Sequence, residues 1–193
     1  MPRLSSTLAQ TPPWGSHLCA FYRSAADLHM LICSYIEAGL ADHEGCLWIL
    51  PPWLSPSAAT ILLQRTVPNV YDYLQTGQLD LVPSSEWYRP EAPLNPEAIF
   101  ATCLRKVVQV APRFTGFRVT GDSSWLQSSE QRARFLAYEH GVTEAVGKAN
   151  IVALCTYPTE AWTPYDILTV WECHDTVLLC DRFGWREVEI QRD

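Results

Sequence analysis

No stretch of this 193-residue chain approaches the roughly 18 consecutive apolar residues that a membrane-spanning helix needs; runs such as Ile151 to Leu154 and Thr176 to Cys180 are far shorter. No signal-peptide pattern opens the sequence either, so a soluble, cytoplasmic protein is expected and no membrane partner. Clusters of basic residues are missing too. Fourteen Lys and Arg against 21 Asp and Glu leave a formal charge of −7, a balance that repels a phosphate backbone and argues against nucleic acid as a partner. The seven cysteines form no C-x-x-C pair, are odd in number and scattered, and most lie in apolar segments; reduced thiols fit this pattern best. Also absent are G-x-S-x-G, H-E-x-x-H and G-x-G-x-x-G, and with them the motif signatures of serine hydrolases, zinc proteases and dinucleotide enzymes.

What is present suffices for one globular domain. Hydrophobic residues make up 48% and charged residues 18% of the chain, an ordinary balance at a length that buries a sizeable core. Residues 1–14, rich in Ser, Thr and Pro without periodicity, read as a flexible leader to a domain spanning 15–193. Short apolar runs at His17–Tyr22, Cys46–Leu50, Leu79–Val82, Phe117–Thr120 and Ile151–Tyr157 read as strands. They alternate with helical patterns at 24–42, 56–66, 70–75, 95–110, 129–148 and 165–173. Two final strands, Thr176–Cys180 and Trp185–Ile190, are joined by a turn at Gly184, and Glu86 to Tyr88 opens a loop. Such alternation predicts an α/β fold: a mainly parallel, doubly wound sheet with helices on both faces. The first strand should be central, beside the Ile151 and Thr176 strands.

Ligands of such sheets sit beyond the carboxyl ends of the strands. That rule places Tyr22, Arg23, Trp53, Trp87, Tyr88, Asp122, Trp125, Cys155 and Tyr157 along one rim. Two readings are open: the rings line a pocket for a small organic molecule, or they plug the rim with the protein's own side chains. In a pocket, Asp122 and Glu139 orient a ligand or accept its proton, and Arg23 pairs with a carboxylate. His17, Cys19, Cys155 and His174 are metal-ligand residue types. With about 3.3 Å of rise per residue, however, the sequence places His17 and His174 at the amino edge and Cys155 toward the carboxyl edge. The implied separation, on the order of 10 Å, leaves only His17, Cys19 and His174 as an alternative cluster and no metal or other cofactor as the main expectation. A nucleophilic Cys19 or Cys155 beside His17 or His174 is disfavoured, because both thiols are embedded in apolar strands of an acidic protein.

Several segments in this order resemble the MEDS sensory domain family, named for methanogen and methylotroph proteins and the dichloromethane-responsive regulator DcmR. They are HLCAFY (17–22), EAGL (37–40) with GCLWI (45–49), GQLDLVP (77–83) with EWY (86–88), RVTGDSSW (118–125), Tyr138-Glu139, ALCTY (153–157) and His174. The resemblance covers about residues 15–185. It implies a core similar to that of RecA and KaiC, and a role in sensing small hydrocarbon derivatives or related metabolites. It also implies a signalling partner, such as a histidine kinase or a transcription regulator, or self-association into a homo-oligomer. A working ATPase of that class needs a Gly-rich turn with Lys and Ser/Thr after the first strand. Here the turn is Tyr22-Arg23-Ser24-Ala25-Ala26-Asp27, with no glycine, no lysine and an added acid. The expectation is therefore a non-catalytic sensory module, with a ligand-free protein-interaction scaffold as the alternative.

Overall fold

The strand His17–Tyr22 (β1) is apolar at nearly every position, and all six residues are buried. Such a strand can exist only in the middle of a sheet covered on both faces. The computed structural model describes residues 12–88, 95–147 and 149–189. In it β1 lies between the parallel strands Ile151–Pro158 (β5) and Thr176–Asp181 (β6), as the sequence led us to expect. The other parallel strands are Gly45–Leu50 (β2), Leu79–Pro83 (β3) and Phe117–Asp122 (β4), and Gly184–Glu189 (β7) returns antiparallel to β6. The order is β3-β2-β4-β5-β1-β6-β7.

Among the described residues, seven α-helices cover this sheet. Ala25–Ala41 (α1), Pro56–Leu63 (α2) and Val70–Thr76 (α3) pack on one face, and Pro96–Val110 (α5), Ser129–Val146 (α6) and Pro164–Glu172 (α7) on the other. Because side chains alternate along a strand, even-numbered residues of β1, β2 and β5 join the α1 side and odd-numbered ones the α6 side. The remaining helix, Ser84–Trp87 (α4), is a single turn where the sequence suggested the start of a loop. Its short length explains the miss, since four residues carry no helical period.

Local chemistry sets the helix ends. Ser24, Ser55, Ser128 and Thr163 each accept a backbone N–H of the first turn, and Ser128 and Thr163 are completed by Gln131 and Asp166 as capping boxes. Gly77 ends α3 at φ 72°, a left-handed position that glycine occupies without steric cost. Beneath α1 the sheet holds a charged pair that the sequence reading missed. Arg118 and Glu44, each 1% exposed, are bonded to one another, and Arg118 also donates to the Tyr35 carbonyl at 3.3 Å. A Cβ on Gly39 would stand 2.6 Å from the Arg118 side chain, so a larger residue there would force that buried side chain to shift. The leader falls mostly on residues outside those described; Trp14, at its end, lies against Gly116. Among the described residues no helix is long and apolar enough to cross a membrane.

Candidate functional site

The turn after β1 spends its polar groups on itself. Ser24 accepts from the Asp27 N–H at 3.2 Å, and the Asp27 carboxylate accepts from the Arg23 N–H at 3.4 Å. These are the donors that a phosphate-binding turn turns toward its ligand. The Arg23 side chain is exposed.

The rim at the ends of β1, β4 and β5 is filled. Tyr22 donates to Asp122 at 2.8 Å, Thr156 donates to the same carboxylate at 2.9 Å, and the Ser124 N–H donates to its other oxygen. Burial raises the Asp122 pKa against the opposing pull of these hydrogen bonds, and burial together with the Asp122 charge raises that of Tyr22. On the other face of the sheet Trp162 packs against Tyr157 and donates to Ser123. The rim candidates are therefore divided between the two faces of the sheet. Tyr22 and Asp122 lie on the α1 side of the sheet, whereas Cys155 and Tyr157 lie on the α6 side. Further along, Trp125 stacks on Tyr88 with ring centroids 4.7 Å apart. Trp53, 48% exposed, faces an open cleft that it shares with Trp125, Gln127 and Gln131.

A second space opens on the α6 side, between α5, α6 and the sheet. This cavity of about 50 Å³ is walled almost entirely by apolar atoms. Ile49, Val119 and Ala153 form its floor, Trp87, Tyr88 and Tyr138 its aromatic wall, and it reaches the surface past the exposed Leu104. Gly121 shapes it, because a Cβ there would meet the Tyr88 hydroxyl at 2.6 Å. Trp87 lines this cavity, and its indole N–H is buried with no hydrogen-bond partner among the described residues. Of the rim candidates, Trp87, Tyr88 and Cys155 border this cavity. Tyr138, Phe100 and Val119 were not site candidates in the sequence, where they look like ordinary core positions of a helix or strand, although Tyr138 and Val119 fall in the segments that carry the family resemblance.

Cys155 also belongs to a polar cluster sealed under α6. His17 Nε2 lies 3.2 Å from Glu139 Oε2 and 3.4 Å from Cys155 Sγ, and Cys155 Sγ lies 3.4 Å from the same carboxylate oxygen. His174 Nε2 approaches that oxygen at 3.7 Å, while Tyr157 donates to Glu139 Oε1 at 2.8 Å. Burial pushes the Glu139 carboxyl upward, but the hydrogen bond and charge of His17, with help from His174 and Tyr157, hold it below its ordinary value. Burial, reinforced by Glu139, raises the Cys155 thiol.

This cluster corrects the separation expected from the sequence. The ligand atoms of His17, Glu139, Cys155 and His174 all lie within 4.8 Å of one another, not on the order of 10 Å apart. The reason is register. His17 pairs with Ala153 and Cys19 with Cys155, so Cys155 sits mid-strand and only two residues above His17 on the same face. Cys19 is buried in the neighbouring apolar cluster and is not among the four.

Residues 16–175, most of the chain, match the family model for MEDS, the MEthanogen/methylotroph, DcmR Sensory domain. No curated protein matches the sequence. The chain belongs to the MEDS family of sensory domains.

Proposed function

We propose that this sensory domain is a receptor for a small, weakly polar organic molecule of a few heavy atoms, held in the cavity between α5, α6 and the sheet. One observation carries the reading: an apolar cavity of about 50 Å³ whose aromatic wall includes Trp87, a residue whose buried indole N–H has no hydrogen-bond partner among the described residues. Space for a water requires roughly 10–15 Å³, so the cavity takes more than one water and less than a metabolite of ordinary size. Apolar walls with one placed polar group are how small ligands are held and oriented. A short-chain ketone, alcohol or halide, with an apolar body and one acceptor atom, fits that description.

The reading is non-catalytic, and triphosphate hydrolysis is not part of it. The self-capped turn at Arg23 to Asp27 and the side chains closing the Tyr22–Asp122 corner support that view. A compartment that keeps thiols reduced, as the cytoplasm does, accords with seven cysteines that form no disulfide. Output is to a signalling partner or a second copy. Tyr165 and Leu168, one helical turn apart on α7, are 78% and 57% exposed and offer an apolar contact face.

The test is a titration of the purified chain with acetone, ethanol or dichloromethane, followed by tryptophan fluorescence. Saturable binding is expected. Trp87→Phe should then erase the preference for these compounds over a hydrocarbon of equal size, a factor of about 10 for one lost hydrogen bond. Absence of saturable binding with every compound favours the scaffold alternative.

A further inference from the structure

We infer that His17, Glu139, Cys155 and His174 form a four-ligand site for a divalent transition metal, with zinc(II) the best match. The proposal stands apart from the ligand reading above, since it shares only Cys155 with the cavity and its test is different.

Geometry comes first. Zinc bound at 2.0–2.1 Å by nitrogen or oxygen and at 2.3 Å by sulfur sets tetrahedral ligand atoms about 3.3–3.6 Å apart. Four of the six spacings here are 3.2 Å for His17 to Glu139, 3.4 Å for His17 to Cys155, 3.4 Å for Cys155 to Glu139 and 3.7 Å for His174 to Glu139, and the other two, from His174 to His17 and to Cys155, lie within 4.8 Å. The four residues come from β1, α6, β5 and the segment between α7 and β6. They are brought together from positions up to 157 apart in sequence.

Proton bookkeeping points the same way. The Val170 carbonyl only accepts, so the 2.6 Å contact places a proton on His174 Nδ1. Thr143 Oγ1 donates to the Cys173 carbonyl at 2.7 Å and therefore accepts from His17 Nδ1 at 2.9 Å. Nε2 is then the nitrogen of each ring that faces Glu139 Oε2, where the Cys155 sulfur converges as well, and in the neutral rings it carries the electron pair that a metal would take. Histidines that ligate metals are oriented in this manner by donating the other ring N–H to a carbonyl or hydroxyl. A cation of charge +2 supplies what these electron pairs need. As the metal–sulfur bond forms, the Cys155 thiol gives its proton to solvent, and thiolate plus carboxylate leave the buried cluster with no net charge. His17, Glu139 and His174 are fully buried, whereas Cys155 keeps partial exposure because it also borders the cavity.

The experiment uses the full chain, stripped with a chelator under reducing conditions and titrated with Zn²⁺ or Co²⁺. One equivalent per chain is expected, with a thiolate-to-cobalt charge-transfer band in the near ultraviolet and a rise in Tm on loading. Cys155→Ser should lose the band and weaken Zn²⁺ binding by at least the roughly 10–100-fold that outer-shell changes cost. Thr143→Ala leaves all four ligands in place and should weaken binding within that same range, which keeps the test open if the serine variant does not fold. No stoichiometric metal after both titrations overturns the proposal. So does binding that Cys155→Ser and Thr143→Ala both leave unchanged, or a ¹⁵N spectrum showing His17 or His174 doubly protonated with Zn²⁺ present.

Discussion

Ala145→Phe is expected to leave the chain folded while removing saturable binding of any short-chain organic probe. Ala145 lines the α5–α6 cavity from α6, and the added ring is larger than the space of about 50 Å³ in front of it. A four-atom ligand gains at most about 1.5 kcal/mol per atom, or about 6 kcal/mol. The wild-type dissociation constant therefore lies no lower than tens of micromolar, and a bulky obstruction takes it beyond the range of a titration. Cost to stability is bounded at about 1–3 kcal/mol, the usual penalty for overfilling a core. Val119→Phe blocks the same space from the sheet floor and should give the same loss of binding from an independent position. Calorimetry of both variants beside the wild type checks this, with thermal unfolding as the control. Retained affinity in the two variants removes the cavity as the binding site.

Arg118→Ala should produce the largest loss of stability of any single change considered, about 3–5 kcal/mol, the cost of stranding one partner of a buried ion pair. It leaves the Glu44 carboxylate 1% exposed with its bonded partner gone, and removes the guanidinium that sits 4.9 Å above the Tyr35 ring. The double variant Arg118→Met with Glu44→Leu removes both charges and should recover most of that loss, because a well-packed apolar pair of similar volume is often as stable. Urea denaturation of the three proteins reads the difference as a shift in midpoint at unchanged slope. A single variant that unfolds within 1 kcal/mol of the wild type would show that the pair is dispensable to the fold.

The fold was legible in the sequence because its signals are local. HLCAFY is apolar on both faces and announces a central strand, Ser24 and Ser128 mark where helices begin, and Gly77 marks where one stops. The turn Tyr22–Asp27 lacks glycine and lysine, and two of its backbone donors, the N–H groups of Arg23 and Asp27, are capped by its own side chains. The sites were less legible because they depend on register and on the face of the sheet. Tyr22 and Tyr157 share a rim in the sequence map, yet one is even-numbered and the other odd, and they point to opposite sides. His17 and Cys155 seemed far apart until the pairing of His17 with Ala153 set them two residues apart. Arg118 in the strand FRVT did carry a signal: a cation inside an apolar strand calls for a buried anion, and Glu44 supplies it.

The claim on which the functional account turns is that a weakly polar molecule enters the space between α5 and α6. Methyl-resolved ¹³C NMR of the full chain during titration with acetone addresses it directly. The account predicts saturable shifts concentrated at the methyl groups of Ile49, Leu104, Val119, Val142, Val146 and Ile151, which border that space. Methyl spectra that stay unchanged to the highest concentration, or saturable shifts confined to Leu54 in the open cleft beside Trp53 and Trp125, would contradict it.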